Sequence, residues 1–173
     1  ADEVGAWPHV EEAAPGVTNL LIVFTRPPRD REAVFMRLLD AWERLPPKTV
    51  SGRVIEVPVV YGGELGHDLA AVSAFSGLAP EEVIRIHREG TYTVLCMGSS
   101  PGFGYLHGLD PRIFMPRKKV PSLRMLAGTV TIGGMQAGIS VNTGPNGWNS
   151  IGFTPALLMP GDTIRFVAER IEL

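Results

Sequence analysis

Three glycine-rich clusters between Gly98 and Gly152 carry the side chains of this chain that are best suited to binding a ligand. The whole stretch holds 11 of the 20 glycines, and each cluster contains an aromatic or amide side chain. Glycine tolerates positive φ and lets a ligand or another backbone come close. The polar groups that could orient a ligand are the backbone amides of the turns and the side chains of Tyr105, Gln136, Asn146 and Arg117. Such groups can bind a carboxylate or stabilise an oxyanion without acting as acid or base.

The charge of this region favours an anionic ligand. No Asp or Glu occurs between Pro111 and Gly161, but five cations do, namely Arg112, Arg117, Lys118, Lys119 and Arg124. The net charge of −2 therefore divides into +5 in this segment and −7 in the rest of the chain. A local positive field attracts anions. The alternative is a β-rich domain with ordinary turns and a solvated basic loop.

Other common chemistries lack their motifs. The four histidines, at positions 9, 67, 87 and 107, have neither HExxH nor HxH spacing, so we predict no metal site. There is no Walker A loop, no Rossmann fingerprint and no nucleophile elbow. The only cysteine, Cys96, lies in an apolar run that predicts a buried strand, and it is expected to be a packed thiol. These patterns assign no catalytic residue.

Composition limits the class of protein. An apolar content of 45% with 20% charged residues is typical of a globular chain, and 173 residues are enough to bury a core. No apolar run is long enough to predict a membrane span, and the acidic start is unlike a signal peptide. One cysteine fits a reducing compartment, and we expect a cytoplasmic protein. The near-neutral net charge gives no reason to expect nucleic-acid binding.

The order of elements predicts an α+β protein with two domains, at 1–52 and 53–173. Residues 1–16 are predicted to form a loosely held arm and a turn, followed by a buried strand at 17–24. A helix is expected from the cap Asp30 to the stop at Pro46, with Phe35 and Trp42 packed in the core. After a polar connector, a strand containing Pro58 is predicted at an edge or bulge. Asp68 is predicted to cap the first of two helices, and the many short strands that follow predict a β-barrel with helical plugs.

Several motifs in the second domain resemble one family. They are Ile55-Glu56-Val57-Pro58-Val59-Val60-Tyr61-Gly62-Gly63, Pro101-Gly102-Phe103-Gly104-Tyr105-Leu106, Pro116-Arg117-Lys118, Gly133-Gly134-Met135-Gln136-Ala137-Gly138, Gly147-Trp148 and Pro160-Gly161-Asp162. In this order they resemble the KipI/PxpB family, also called the allophanate hydrolase subunit 1 family. The resemblance runs from about Val10 to Val167 and is most specific in the second half.

The resemblance implies a small ferredoxin-like N-terminal α/β lobe followed by a cyclophilin-like β-barrel. Members of this family act with a KipA/PxpC-type subunit and a LamB/YcsF-type subunit as an ATP-dependent 5-oxoprolinase, which opens 5-oxoproline to glutamate. The resemblance therefore implies an enzyme subunit that is inactive alone, binds no cofactor by itself and contributes a cleft for a small anionic substrate. The complex, rather than this chain, would use ATP.

The substrate-binding residues that the resemblance implies are Pro101, Gly102, Phe103, Tyr105, Arg117, Gln136, Gly138, Trp148 and His87. The residues themselves indicate a different role for His87, because it lies beside apolar side chains of a helix, where a structural hydrogen bond is expected. The chain departs from the family at Ser99, where an aromatic residue is usual, and in a shorter loop near Pro155. It also lacks the family's first strand and helix, so we expect an incomplete N-terminal lobe.

Three other functions stay open on the sequence. Related halves form the carboxyltransferase part of biotin-dependent urea carboxylase, and one member inhibits a sporulation histidine kinase. A cyclophilin-type prolyl isomerase would rest on fold analogy alone.

Overall fold

The computed structural model describes residues 1–46, 52–156, 158–159 and 161–173. The chain divides into two compact units, Ala1–Val50 and Ser51–Leu173. The sequence analysis placed this boundary between residues 52 and 53, next to the polar connector. The connector itself lies largely outside the described residues, and the helix before it ends at Arg44, just before the predicted stop at Pro46.

The first unit contains two helices and a two-stranded antiparallel sheet. Its elements are α1 (Asp2–Gly5), β1 (Val10–Pro15), β2 (Leu20–Phe24) and α2 (Arg31–Arg44). The predicted loosely held arm is therefore wrong, because its residues form α1 and most of β1. The predicted cap of α2 is present, since Ala33 N donates to Oδ1 of Asp30 at 3.0 Å. An aspartate in this position satisfies one of the free N–H groups of the first helical turn.

The prediction that Phe35 and Trp42 pack in the core is wrong. Trp42 is 85% exposed and Phe35 is 53% exposed. Helix α2 instead turns Ala41 toward a small cluster with Val4 and Trp7. The apolar stripe of α2 is wider than the surface that α1 and the two strands offer, so half of the stripe stays uncovered.

The second unit is built on a closed seven-stranded barrel. Its elements are β3 (Val54–Gly62), α3 (Leu69–Ser76), α4 (Pro80–Glu89), β4 (Tyr92–Met97), β5 (Gly104–His107), β6 (Ser122–Met125), β7 (Thr129–Gly133), β8 (Gln136–Ile139), β9 (Gly144–Asn146), β10 (Asn149–Phe153) and β11 (Thr163–Glu172). The barrel order is β10-β3-β11-β4-β5-β8-β7, and β6 pairs with β9 in a separate two-stranded ribbon. The predicted α+β class with a β-barrel is confirmed.

Most barrel strands alternate inward and outward side chains, as the period of a strand requires. On β3 the buried positions are Val57, Val59 and Tyr61, and β11 adds Ile164 and Phe166. Pro58 pairs with β11 through Val167, whereas β10 pairs with β3 only at residues 60 and 61. Pro58 therefore occupies a stretch of β3 that has one paired neighbour, which fits the predicted edge position.

Helix α4 packs its apolar face against the barrel and carries His87 into the core. The imidazole is fully buried, stacks on Phe166 with ring centroids 4.5 Å apart, and pairs through Nδ1 with the hydroxyl of Tyr61 at 2.8 Å. Burial lowers the pKa of His87 from 6.5 to about 3, because no charge compensates for the lost water. Among the described residues, no helix is both long and apolar enough to cross a membrane.

The buried histidine predicts a steep loss of stability in acid. The pKa of His87 is lower in the folded state than in the unfolded state. As pH falls from 6.5 toward 3, the unfolded state therefore binds a proton that the folded state does not, and it is stabilised relative to the folded state. The free energy of unfolding should fall by up to about 1.4 kcal/mol per pH unit from this group. The double variant His87→Phe/Tyr61→Phe removes both partners of the hydrogen bond and should show a slope that is shallower by that amount.

Urea unfolding of the wild type and the variant at a series of pH values from 7 to 4 measures this slope. His107→Gln, at a solvent-exposed position, is the control and should keep the wild-type slope. Equal slopes in the wild type and the double variant would contradict the assignment.

Candidate functional site

One cleft in the second unit brings together most of the predicted site residues. Its volume is about 600 Å³. Five of the nine predicted residues line it, namely Phe103, Tyr105, Arg117, Gln136 and Trp148. They come from β5 and the turn before it, the segment before β6, β8 and the turn before β10, which are far apart in sequence and meet at the barrel.

The other four predicted residues do not line the cleft. Pro101 and Gly102 belong to the turn at its edge, and Gly138 lies beneath its aromatic rings. His87 is sealed in the core between α4 and the barrel, with Tyr61 as its hydrogen-bond partner. This placement does not support a substrate contact by His87, and it agrees with the structural role that its apolar surroundings indicated.

Three aromatic side chains form the floor of the cleft. Phe103 meets Tyr105 edge to face with centroids 4.9 Å apart, and it meets Trp148 edge to face at 5.6 Å. Tyr105 and Trp148 are 6.0 Å apart. Such edge-to-face pairs stabilise each other by about 0.5–1.5 kcal/mol beyond their buried area. The rings therefore form a closely packed, mostly apolar floor.

Two glycines make room for the aromatic rings of the floor, because they have no side chain. A Cβ atom at Gly133 would overlap the indole of Trp148. A Cβ atom at Gly138 would lie 2.8 Å from Cζ of Phe103 and 3.2 Å from Cζ3 of Trp148. The glycine cluster of β7 and β8 thus serves the close approach of aromatic rings to the barrel wall, which is one of the two uses that the sequence indicated.

The turn between β4 and β5 forms one side of the cleft. Gly98 N donates to Phe103 O at 3.0 Å, and Phe103 N donates to Ser100 O at 3.0 Å. Gly102 takes φ +87°, and Ser99 takes φ +57°, which is rare outside glycine. Ser99 and Ser100 both line the cleft. The sequence analysis marked Ser99 only as a departure from the family and did not assign it to the site.

Arg117 stands at the side of the cleft formed by the turn before β10. Lys118 N donates to Gly147 O at 2.7 Å, which ties the segment that carries Arg117 to this turn. A Cβ atom at Gly147 would lie 3.7 Å from Nε of Arg117. The guanidinium therefore lies beside Gly147.

An ion pair beneath this side fixes the segment further. Lys118 Nζ contacts Oδ2 of Asp68 at 2.6 Å and Oγ of Ser122 at 2.6 Å, and the carboxylate also accepts from Ser150 N at 2.8 Å. Burial alone would raise the pKa of Asp68, but hydrogen bonds from Lys118 and Ser150 lower it overall. Asp68 occupies the predicted N-cap position of α3, but its side chain makes no hydrogen bond to that helix and is engaged by Lys118 and Ser150 instead. The sequence held no local signal for this pair because 50 residues separate its members.

The polar side chains around the cleft fall into two groups. Asn146 is fully engaged in the structure, since it donates to Ser140 Oγ at 3.2 Å and accepts from Trp148 N at 2.9 Å. The side chains of the second group line the cleft and make no hydrogen bond or ion pair to any described residue. This group comprises Ser99, Ser100, Tyr105, Arg117, Gln136 and Asn142. Asn146, which the sequence offered as a ligand-orienting group, is therefore structural, whereas Arg117 and Gln136 are available to a ligand.

The described lining contains one cation and no carboxylate. It also contains no histidine, cysteine or lysine that could exchange a proton near neutral pH. Among the described residues, no group of three or more His, Cys, Asp or Glu side chains could hold a metal ion. The arrangement can thus bind and orient an anion with hydrogen-bonding groups above an aromatic surface.

Adding a methyl group at Gly133 should disturb the floor. Gly133→Ala forces the indole of Trp148 to move, and overpacking of this kind costs about 1–3 kcal/mol in the free energy of unfolding. The matched control is Gly144→Ala, because Gly144 also lines the cleft but has no atom within 4 Å of the added carbon. Urea unfolding should separate the two variants. Equal stabilities would show that the rings do not depend on the glycine.

The ion pair between Asp68 and Lys118 should show strong energetic coupling. Both side chains are largely shielded, at 14% and 18% exposure, so we expect a coupling energy of about 1–3 kcal/mol from the double-mutant cycle of Asp68→Asn and Lys118→Met. The exposed pair of Glu82 and Arg85 on α4 is the control and should couple more weakly, because water screens both side chains. Chemical unfolding of both sets of variants measures the two energies. A cycle for Asp68 and Lys118 no larger than the control would contradict this role.

Known proteins resemble this chain over nearly its whole length. Residues 1–162 match the family described as "Carboxyltransferase domain, subdomain C and D". The B-type subunit of 5-oxoprolinase from Haemophilus influenzae is 41% identical over 175 residues, which cover 95% of this chain and 82% of that protein.

Solved structures agree in fold. A conserved uncharacterized protein from Pyrococcus horikoshii is 33% identical with a TM-score of 0.65, over 97% of this chain and 82% of that chain. The urea amidolyase of K. lactis reaches a TM-score of 0.78 at 18% identity, over 97% of this chain and 13% of that chain, which shows a shared fold. The closed barrel and the aromatic floor fit these matches. The chain therefore belongs to the KipI/PxpB family of carboxyltransferase-domain proteins, the family of the 5-oxoprolinase B-type subunits.

Proposed function

We propose that this chain acts as the B-type subunit of an ATP-dependent 5-oxoprolinase and that its cleft holds the anionic substrate, or a phosphorylated intermediate, at the interface with a KipA/PxpC-type subunit. The observation that carries the proposal is the composition of the cleft. It combines a guanidinium and hydrogen-bonding side chains without described partners with an aromatic floor, and its described lining has no carboxylate. The relatives that are B-type subunits of 5-oxoprolinase supply the reaction.

Arg117 is the group that would bind the carboxylate of 5-oxoproline. A planar guanidinium offers paired N–H donors that match two carboxylate oxygens, and here no described acidic side chain competes for it. Gln136 lies in the same lining and can donate or accept. The +5 charge of residues 111–161 strengthens the attraction for an anion before contact.

The chemistry of ring opening would require other subunits. The described lining offers no acid or base that is tuned for proton transfer, and no metal cluster occurs among the described residues. ATP and the groups that act on it would therefore come from the KipA/PxpC-type and LamB/YcsF-type subunits. This division of labour explains why the chain would be inactive alone.

A carboxyltransferase role is the second candidate. The family description and the fold shared with urea amidolyase favour it, because the same cleft could hold a urea-like amide. The two candidates differ in what the complex consumes. Glutamate formation with ATP identifies the first, and transfer of carboxylate from biotin identifies the second.

Reconstitution with purified partner subunits tests the proposal. Glutamate should form from 5-oxoproline and ATP only when this chain is present. Arg117→Ala should raise KM by about 10–100-fold, because a hydrogen bond to a charged group is worth about 1.5–3 kcal/mol. Gln136→Ala should raise KM by a smaller factor, since a neutral hydrogen bond contributes about 1 kcal/mol.

The matched control is Arg124→Ala, which removes a cation from the same acid-free segment but outside the cleft lining. It should leave KM within about twofold of the wild type. A wild-type KM in both Arg117→Ala and Gln136→Ala would remove the site assignment. Activity of the partners without this chain would remove the proposed function.

A further inference from the structure

The edge of β6 that faces away from β9 exposes two large apolar side chains. Leu123 is 85% exposed and Val120 is 81% exposed, whereas no other large apolar side chain of the described second unit exceeds 68%. Single exposed apolar side chains are normal on protein surfaces. Here they lie three residues apart, on and next to a strand that pairs only with β9 among the described residues. A free strand edge with apolar side chains can pair with another chain.

Two cations accompany these apolar side chains. Lys119 and Arg124 are exposed and make no hydrogen bond or ion pair with a described residue. No Asp or Glu occurs between Pro111 and Gly161 in sequence to balance them. We call Lys119, Val120, Leu123 and Arg124 the β6 edge. Its positive charge and apolar groups are complementary to a protein segment that carries carboxylates beside apolar side chains.

The backbone beneath the β6 edge is held by the fold. Nζ of Lys118 donates to Oγ of Ser122 at 2.6 Å, and the side chain of Met125 is buried. At the end of the strand, Ala127 N donates to Oγ1 of Thr143 at 3.1 Å. A surface that is already ordered loses little conformational entropy when a partner binds, so the β6 edge is prepared for docking.

The β6 edge adjoins the cleft. Pro121 follows Val120 in the chain and lines the cleft. Gly144 and Asn146 of β9 also line it, and they pair with Met125 and Ser122 of β6. A segment added to the β6 edge would therefore stand next to the cleft.

We propose that the β6 edge docks the KipA/PxpC-type subunit through an extended acidic segment of that subunit. The segment pairs with the free edge of β6 and places carboxylates against Lys119 and Arg124. In this mode of recognition the backbone hydrogen bonds provide affinity and the side chains provide specificity. The inference rests on the proposed function for the identity of the partner.

A second copy of this chain is the other candidate occupant, since the residues outside the positive segment carry a net charge of −7. Such a contact would join two unlike surfaces. Contacts of this kind build rings or open chains of subunits rather than closed dimers. A different subunit that ends at the cleft is therefore the occupant that fits the β6 edge better.

Binding of the full chain to the purified KipA/PxpC-type subunit tests the proposal. Isothermal titration calorimetry at about 0.15 M and about 0.5 M salt measures Kd under weak and strong screening. The wild-type Kd should rise with salt. Lys119→Glu/Arg124→Glu should raise Kd by about tenfold or more at the lower salt and should remove most of the salt dependence. This variant keeps a charged edge, so any protection against self-association is retained and only the attraction for carboxylates is lost.

Leu123→Ser tests the apolar part of the β6 edge and should also raise Kd by about tenfold or more. Two controls match these variants. Arg88→Glu/Arg165→Glu reverses two exposed arginines without described partners, and Leu95→Ser changes an exposed strand leucine of β4. Both controls should keep Kd within about twofold of the wild type. With saturating partner subunit, the β6-edge variants should keep the wild-type KM, because these residues do not line the cleft.

Three results would overturn the proposal: no binding by the wild-type chain, a wild-type Kd in both β6-edge variants, or an equal loss in the controls. Sedimentation of the chain alone adds a fourth, which is self-association that the β6-edge variants abolish. The failure of the proposed function has a different signature. In that case the subunits bind through the β6 edge, but the reconstituted complex forms no glutamate.

Discussion

The contact between Trp148 and the bare backbone of the barrel is the constraint on which the site depends. The indole lies where a side chain at Gly133 or Gly138 would stand, and Phe103 closes over it edge to face. Close-packed rings in low-energy arrangements leave little freedom, so the floor of the cleft keeps one shape. Everything that faces a ligand is then placed relative to this surface.

The polar side chains around the floor fall into two sets: some are bonded to other residues of the protein, and the others have no described partner. Asn146 and Lys118 direct their side chains to the protein and thereby hold the turn and the segment that carries Arg117. Arg117 and Gln136 have no described partner. The exposed Arg117 and the half-buried Gln136 can therefore turn their donors to a ligand without giving up a described bond to the protein. This division distinguishes a binding side chain from a structural one more sharply than residue type does.

The sequence predicted the parts of the molecule that depend on local pattern or on specific motifs. Strand and turn patterns predicted the barrel, and Asp30 predicted the start of α2. The glycine and aromatic motifs predicted five residues that line the cleft. The misses have a common cause. Trp42 was placed in a core because periodicity shows which face is apolar but not how much of it a neighbouring element covers. Asp68 was assigned to its own helix, whereas a partner 50 residues away engages it.

Asn146 and Asn142 illustrate the same limit within the site. Both are amides in the short segment 142–146, the second at the end of β9, and no local rule distinguishes them. The fold does, because Asn146 reaches the backbone of Trp148 and the hydroxyl of Ser140, while Asn142 reaches neither. The engaged amide stiffens the loop, and a stiff loop presents the other one with less entropy left to lose on binding. The hydrogen bonds of Asn146 therefore hold the segment from which the exposed side chain of Asn142 projects.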